Sequence, residues 1–201
     1  MTVLVGRKAP DFCVAAVLGD GKIVNEFCLF DAIKNKHALL FFYPLDFTFV
    51  CPSELIALDH RLKEFKKRNI EVIAISIDSH FTHNAWRNTP VNQGGIGKVS
   101  YTMAADINHS ICQAYGVEHP AAGVAFRAAF IIDKTQTVRV ELVNDLPIGR
   151  DIDEILRLFD ALQHTENFGE VCPAGWRQGN AGMKASTEGV ADYLAKHGEQ
   201  L

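Results

Sequence analysis

Two short apolar runs on either side of an amphipathic helix pattern constrain the fold most strongly. ALLFFY spans residues 38–43 and EVIAISID spans residues 71–78, and both predict strands that are buried on both faces. Between them, residues 53–68 place apolar side chains three and four positions apart, at Leu55, Leu58, Leu62 and Phe65. This spacing predicts an amphipathic helix of about four turns. The order predicts a βαβ unit with parallel strands and a right-handed crossover.

The later part of the chain predicts a hairpin followed by another helix. AAFIID at residues 128–133 and TVRVELV at residues 137–143 flank a short polar turn. The segment that begins at Asp151 has acidic residues in its first turn and apolar residues on one face, so it predicts a packed helix. Strands alternating with helices predict an α/β domain.

From residue 166 onward the composition changes. Glycine becomes frequent, at Gly169, Gly175, Gly179, Gly182 and Gly189, and large apolar residues become few. We therefore predict a domain at residues 1–165 and a C-terminal arm at residues 166–201 that crosses a surface and ends in a short helix at residues 187–197. An arm with so little apolar mass needs another surface to hold it, and we expect that surface on a second subunit.

Charge and hydropathy exclude some classes of function. The net charge of -4 and the dispersed lysines and arginines argue against a nucleic-acid binder, which would carry a basic stripe. No apolar run approaches the roughly 18 residues of a membrane span, and Arg7 and Lys8 interrupt the N-terminal apolar residues. We therefore expect neither a signal peptide nor a transmembrane helix, and we expect a cytoplasmic location.

The chain has five cysteines, and an odd count favours thiol or metal chemistry over a framework of structural disulfides. No two of them form a Cys-x-x-Cys pair, so any pairing is expected to be long-range. They stand at positions Cys13, Cys28, Cys51, Cys112 and Cys172.

Cys51 lies where the first predicted strand gives way to the helix. Thr48 is a suitable N-cap for that helix, and Pro52 fits only in its first turn. Cys51 would then sit among the free N–H groups of a helix N-terminus, a setting that favours the thiolate. The spacing also fits a buried structural cysteine.

The segments around the cysteines resemble a known family. Pro44, Thr48 and Cys51 form the pattern P-x-x-x-T-x-x-C within FYPLDFTFVCPSE, and Cys172 lies in GEVCPAGW. GRKAPDF, DSHFTHNAW, GGIG, FRAAFIID and NDLPIGR occur around them in the same order as in the family. The chain therefore resembles the typical two-cysteine peroxiredoxins, the group that includes the bacterial alkyl hydroperoxide reductase C components.

The resemblance implies a fold and a set of roles. The fold would be thioredoxin-like, with a central mixed sheet flanked by helices. Cys51 would be the peroxidatic cysteine, with Thr48 and Pro44 as its pocket partners, and Cys172 would be the resolving cysteine of a partner subunit. Arg127 would hold the thiolate and the peroxide. Independently of the resemblance, a cation inside the apolar VAFRAAFII is costly unless it is paired; the alternative is a strand-end arginine that extends into water. Glu54 and Arg150 would orient that arginine.

The resemblance also implies partners. The substrate would be a peroxide, and a thioredoxin-like protein or a flavoprotein would reduce the resulting disulfide. The assembly would be a homodimer, and five dimers would form a decamer. No metal and no organic cofactor is implied.

Over-oxidation of the peroxidatic cysteine depends in this family on a Gly-Gly-Leu-Gly loop and a terminal Tyr-Phe pair. The loop here is Gly94, Gly95, Ile96 and Gly97, and the tail carries Tyr193 and Leu194. Ile96 in place of leucine is a conservative change, whereas Leu194 in place of phenylalanine is a less conservative one. We therefore predict intermediate sensitivity to over-oxidation.

Other interpretations stay open from the sequence. Cys13, Cys28 and Cys112 are expected to be buried, inert thiols. His80 and His83 have a spacing that would suit a metal, but the start of a helix explains them better. An oligomeric holdase chaperone and a cysteine hydrolase are the alternative functions, the second of which lacks a recognisable histidine partner.

Overall fold

The computed structural model describes residues 3–200, and the chain divides after Ile152 into two compact units. The division reflects only how compactly each part of the chain is folded. The predicted boundary between the domain and the arm, at residues 165 and 166, therefore stays a prediction. Within residues 3–200, no helix combines the length and the apolar character needed to cross a membrane.

A seven-stranded mixed sheet forms the centre of the first unit. Its strands are β1 (Cys13–Val17), β2 (Ile23–Cys28), β3 (His37–Phe42), β4 (Ile70–Ser76), β5 (Thr102–Ala105), β6 (Arg127–Ile132) and β7 (Val138–Asn144). They lie in the order β2-β1-β5-β4-β3-β6-β7. β3, β4 and β5 are parallel, and the other pairings are antiparallel. The predicted α/β class and mixed sheet are confirmed.

The predicted βαβ unit is present. Every residue of β3 is buried, and β3 pairs in parallel with β4 from His37 opposite Ile70 to Phe42 opposite Ile75. The connecting helix, α2 (Cys51–Lys67), begins two residues before the predicted start. Pro52 explains the difference, because its fixed φ and missing N–H suit the first helical turn. Cys51 therefore belongs to the helix itself.

The other helices are shorter or lie in the second unit. α1 (Leu29–Ala32), α3 (His80–Asn88) and α4 (Ser110–Ala114) belong to the first unit, with a 3₁₀ turn at Val91–Gln93. The predicted hairpin is β6 and β7, and the predicted helix after Asp151 is α5 (Ile152–Phe168). α6 (Thr187–His197) has the predicted bounds and is capped by the Ser186 side chain, which accepts a hydrogen bond from the Gly189 N–H. A 3₁₀ turn at Gly198–Gln200 follows it.

The prediction that Cys13 and Cys28 are buried, inert thiols is wrong. Cys13 and Cys28 stand directly opposite each other on β1 and β2 and form a disulfide, although only 15 residues separate them. The hairpin that brings them together has no clear signal in the sequence, and the pairing is short-range rather than long-range as expected. The prediction is confirmed for Cys112, whose thiol is buried. Burial, together with the Asp106 carboxylate, raises the pKa of the Cys112 thiol far above its ordinary value, which makes it unreactive.

Candidate active site

Cys51 is the first residue of α2, and its side chain is buried. β3 ends at Phe42, and the chain reaches the helix through residues 43–50. Sequence reasoning made Thr48 the N-cap, and this is wrong: Val50 is the N-cap and makes no side-chain capping bond. Thr48 instead donates its hydroxyl proton to the Leu45 carbonyl at 2.8 Å, which folds the loop on itself. The buried Pro44 lies at the start of the same loop.

Arg127 reaches Cys51 from the neighbouring strand. It is the first residue of β6, which pairs with β3, and it is 4 % exposed. Its Nη1 donates to the Cys51 Sγ at 3.3 Å and to Glu54 Oε2 at 2.8 Å, while its Nε donates to the Leu146 carbonyl. Because its polar atoms are used inside the protein, it is not a strand-end arginine that extends into water.

Glu54 lies one helical turn after Cys51 and binds two arginines. Besides Arg127, it accepts hydrogen bonds from Arg150 at both oxygens, from Nε to Oε1 at 2.9 Å and from Nη2 to Oε2 at 3.0 Å. The Arg150 backbone N–H donates to Oε1 as well, at 2.8 Å. Burial raises the pKa of the Glu54 carboxyl, but the hydrogen bonds and charge of Arg150, together with the charge of Arg127, outweigh it and hold that pKa below its usual value.

Arg150 is itself fixed from three sides. Its Nη1 donates to the Ala128 carbonyl at 2.6 Å, and its guanidinium carbon lies 3.3 Å from the centre of the Phe41 ring. With Glu54 on the third side, its side chain is only 2 % exposed. Arg150 therefore holds Glu54, and Glu54 in turn orients the guanidinium of Arg127 against Cys51.

The cluster brings two cations and one anion together. The buried guanidinium groups of Arg127 and Arg150 share the carboxylate of Glu54, and buried charges are costly unless they are paired. The Cys51 sulfur lies 3.3 Å from Arg127 Nη1. Negative charge that forms on this sulfur during a reaction would therefore face a cation.

A buried polar network that sequence reasoning missed holds the loop before Cys51. Asp46 accepts a hydrogen bond from the Tyr43 hydroxyl at 2.7 Å and contacts His83 Nδ1 at 2.8 Å, and its N–H donates to Asp78 at 2.9 Å. Burial raises the pKa of Asp46, and His83 opposes this rise. His83 is therefore a paired core histidine. The one feature of the sequence that could have indicated this network is Asp46, an acidic residue inside the P-x-x-x-T-x-x-C segment.

Cys172 lies in the second unit as a free, half-buried thiol. Its Sγ donates to the Ala161 carbonyl of α5 at 3.5 Å. The segment that follows is attached to the same helix, since Arg157 donates to the Trp176 carbonyl at 2.9 Å and the His164 ring lies 4.7 Å from the Trp176 ring. Trp176 is buried and packs beside the segment that carries Cys172.

The two elements associated with over-oxidation are each well formed. In the loop, Gly94 and Gly97 have positive φ, and a Cβ on Gly95 would lie 1.9 Å from the Thr89 carbonyl oxygen, so only glycine fits. Ile96 is buried. In α6, the Tyr193 ring lies 4.7 Å from the His197 ring, and Leu194 is exposed.

The chain is similar to two family models and to curated proteins over nearly its whole length. Residues 5–141 match the AhpC/TSA family, and residues 161–196 match the C-terminal domain of 1-Cys peroxiredoxin. The alkyl hydroperoxide reductase C of Helicobacter pylori is 51 % identical over 199 residues, which cover 99 % of this chain and 100 % of that protein. The mouse protein named peroxiredoxin-2 is 47 % identical over 193 residues, or 96 % of each chain.

Solved structures give the same result. The crystal structure of the reduced 2-Cys peroxiredoxin of Plasmodium vivax superposes with a TM-score of 0.93 at 49 % identity, covering 96 % of this chain and 100 % of that one. The Enterococcus faecalis AhpC has a TM-score of 0.79 at 35 % identity, with 86 % of this chain and 100 % of that one covered.

Proposed function

The chain belongs to the AhpC/TSA family of peroxiredoxins and is a thiol peroxidase, and we propose that Cys51 is its peroxidatic cysteine, with Arg127 as the group that activates it. The observation that carries this assignment is the 3.3 Å contact between Arg127 Nη1 and Cys51 Sγ inside a buried cluster in which two guanidinium groups share one carboxylate. Cys112 has no such surroundings, since a carboxylate lies beside its thiol.

The proposed reaction uses hydrogen peroxide or an organic hydroperoxide. The Cys51 thiolate attacks the terminal peroxide oxygen, an S–O bond forms, and the O–O bond breaks. The sulfur loses two electrons and becomes a sulfenic acid. The leaving oxygen takes up a proton and departs as water or an alcohol. Arg127 faces the charge that develops on these oxygens.

Thr48 would contribute as an acceptor. Its only hydroxyl proton is donated to the Leu45 carbonyl, so the lone pairs of its oxygen remain available to the O–H of a peroxide. Pro44 opens the loop that places Thr48, and it has no N–H that could compete for the substrate.

Ionisation of Cys51 cannot supply the whole rate. An ordinary cysteine, with a pKa of about 8.5, is about 3 % thiolate at pH 7, so full ionisation gains about 30-fold, or about 2 kcal/mol of activation free energy. The rest has to come from groups placed around the O–O bond, above all the planar guanidinium of Arg127.

Arg127→Lys is therefore expected to lower the second-order rate constant for peroxide reduction by about 10²–10³-fold, because lysine keeps the charge but loses the planar array of donors. Stopped-flow consumption of peroxide measures the effect. Arg139→Lys is the matched control, since Arg139 lies on the adjacent strand with its side chain 45 % exposed. Equal rates for the two variants would refute the role given to Arg127.

Cys172 completes the proposed cycle. Its thiolate attacks the Cys51 sulfenic sulfur of a partner subunit, an S–S bond forms, and the sulfenic oxygen leaves as water. A thioredoxin-like protein or a flavoprotein then reduces this disulfide with a dithiol. A bond that is reduced in every turnover requires a reducing compartment, so we place the activity in the cytoplasm.

The proposed assembly is a homodimer that further associates into a decamer. Support comes from one edge of the sheet, where the parallel strands β3, β4 and β5 end. Apolar residues exposed in the segments after these strands are Phe47, Phe49, Phe81 and Ile107. Apolar groups collected at one edge are typical of an interface. Solution mass in both redox states measures the assembly, and a monomer in both states would contradict it.

The proposed sensitivity to over-oxidation is intermediate. The longer Cys51 stays a sulfenic acid, the more of it a second peroxide converts to sulfinic acid. The loop at residues 94–97 keeps all three glycines, whereas Leu194 replaces the aromatic residue of the terminal pair. The peroxide concentration at which mass spectrometry detects two added oxygens should fall between those of sensitive and resistant family members. A value at either extreme would contradict the proposal.

A further inference from the structure

The Cys13–Cys28 disulfide takes no part in the chemistry proposed for Cys51. It joins β1 to β2, the two outermost strands on one side of the sheet. We propose that Cys13 and Cys28 form a second redox-active couple, which exchanges electrons with dithiols independently of Cys51 and Cys172. The inference rests on the proposed function only in taking dithiols to be present where the chain works.

The disulfide is open to attack. Cys13 is exposed and Cys28 is half-buried, so an incoming thiol meets the Cys13 sulfur first. Cys13 also lines a cleft of about 210 Å³ between the segment Pro10–Val14 and residues Asn108, Ser110, Ile111, Ala114 and Tyr115. This cleft offers room beside Cys13 for the side chain that carries the attacking thiol. Exposed disulfides of this kind are the labile ones.

The pairing of β1 with β2 keeps Cys13 and Cys28 close together in both redox states. Residues directly opposite each other in an antiparallel pair have their Cα atoms about 4.5–5.5 Å apart, and those of Cys13 and Cys28 are slightly closer, at 4.1 Å. The chain around them is held by bonds that do not involve sulfur, from the Leu29 N–H to the Phe12 carbonyl at 3.0 Å and from the Phe30 N–H to Asp11 at 3.2 Å. Opening the disulfide therefore requires only a small separation of the two strands.

Cys51, in contrast, cannot form a disulfide without a change in its backbone. Cys51 is buried in the first turn of α2, so it cannot meet another cysteine until that turn unwinds. Cys13 and Cys28 are already in register, and thus their exchange with a dithiol is limited only by access and by the chemistry of the thiols.

The exchange balances in two steps. A thiolate of the dithiol attacks the Cys13 sulfur, the Cys13–Cys28 bond breaks, and Cys28 leaves as a thiolate that takes up a proton. The second thiol of the dithiol then attacks its own sulfur in the mixed disulfide and releases Cys13. Two electrons pass to the cysteine pair, and the dithiol becomes a disulfide. The reverse steps close the pair when the dithiol is exhausted.

The test uses the full chain with Cys51→Ser and Cys172→Ser, which keeps only Cys13, Cys28 and Cys112. The protein is equilibrated at graded ratios of reduced to oxidised dithiothreitol and alkylated without denaturant. The mass of the intact chain is then measured by mass spectrometry. Two alkyl groups should appear together as the ratio rises, and a third, on Cys112, only after denaturation. The matched control adds Cys13→Ser and Cys28→Ser, and it should take up no label in the native state.

Two results would overturn the proposal. If both cysteines take up label without any dithiol, the pair is not oxidised in the isolated protein. If neither takes up label until denaturant is added, the disulfide is structural and inert. Since neither readout involves peroxide, failure here is distinguishable from failure of the proposed peroxidase mechanism.

Hydrogen exchange provides a second measurement in the same variant. Reduction should make the amides of β2 exchange several-fold faster, because the edge strand loses its covalent tie to β1, whereas the amides of β3 and β4 should be unchanged. If the amides of β3 and β4 exchanged faster as well, reduction would unfold the sheet, and the disulfide would be structural rather than a redox couple of the folded chain.

Discussion

Replacing Glu54 with glutamine is expected to destabilise the folded chain by about 3–5 kcal/mol. Glu54 is the carboxylate that pairs with both Arg127 and Arg150, and all three side chains are at most 5 % exposed. Glutamine has nearly the same shape but no charge, and its NH₂ group would face guanidinium donors. The two buried guanidinium groups would then lose the carboxylate that they share, and the folded state would bear that cost.

Chemical denaturation measures the change in the free energy of unfolding. Glu64→Gln is the matched control because Glu64 lies on the same helix and also pairs with two cations, Lys67 and Arg68, but its side chain is 40 % exposed. Exposed ion pairs contribute at most about 1 kcal/mol. If the two variants lost the same stability, the buried cluster would not have the role assigned to it.

The same carboxyl predicts a pH dependence. The pKa of Glu54 is lower in the folded chain than in the unfolded chain, so its contribution to stability is fully present above its ordinary pKa, about 4.3. That contribution is lost as the pH falls through the lowered native pKa. The stability of Glu54→Gln should therefore vary less with pH between neutral and strongly acidic solution, a difference that denaturation at several pH values measures.

Replacing Cys172 with serine is expected to abolish the peroxide-induced, disulfide-linked dimer and, with it, catalytic turnover with a dithiol reductant. Cys172 is the free thiol of the second unit, and serine cannot form a disulfide with the Cys51 sulfenic acid. The first encounter with peroxide does not need Cys172, so one equivalent should still be consumed at the normal rate. The variant thus separates peroxide reduction from resolution.

Non-reducing gels after peroxide treatment, together with a coupled turnover assay, measure both effects. Cys112→Ala is the matched control, since it removes a cysteine that is buried and unreactive, and it should keep the dimer and the turnover. A monomer with an internal Cys51–Cys172 disulfide in the unmodified chain would contradict the inter-subunit pairing. Continued turnover of Cys172→Ser would contradict the resolving role.

The resolving step requires a change around Cys51. A disulfide needs two Cα atoms within about 7 Å, and a sulfur buried in a helical first turn does not satisfy this with a cysteine outside its pocket. We therefore expect the first turn of α2 and the segment around Cys172 to open locally in each cycle. The slower this opening is, the longer the sulfenic acid remains exposed to a second peroxide.

The sequence predicts those parts of the fold that depend on local periodicity. The apolar runs at residues 38–43 and 71–78 give β3 and β4 within about one residue at each start, and the leucines between them give the face of α2. Arg127 was recognised from physical chemistry as well as from resemblance, because a cation in an apolar strand needs a buried partner. Its partners proved to be Glu54 and Cys51.

The features that sequence reasoning missed depend on pairing between distant or irregular segments. The Cys13–Cys28 disulfide requires knowing that two short segments, CVAAV and IVNEFC, form a hairpin in one particular register. The Asp46–His83 contact joins a loop to a helix that starts after the next strand. Thr48 was given the wrong role because Pro52 moved the helix start to Cys51, which made Val50 the N-cap.

Trapping of the sulfenic acid tests the central claim most directly, namely that the Cys51 thiolate held by Arg127 is the group that peroxide oxidises. Reduced protein is mixed with one equivalent of hydrogen peroxide in the presence of a sulfenic-acid reagent, quenched rapidly and mapped by peptide mass spectrometry. The mechanism predicts label on Cys51, with the same peptide labelled far more slowly in Arg127→Lys. Peroxide consumption with label on Cys172, Cys112 or Cys13 and none on Cys51 would contradict it.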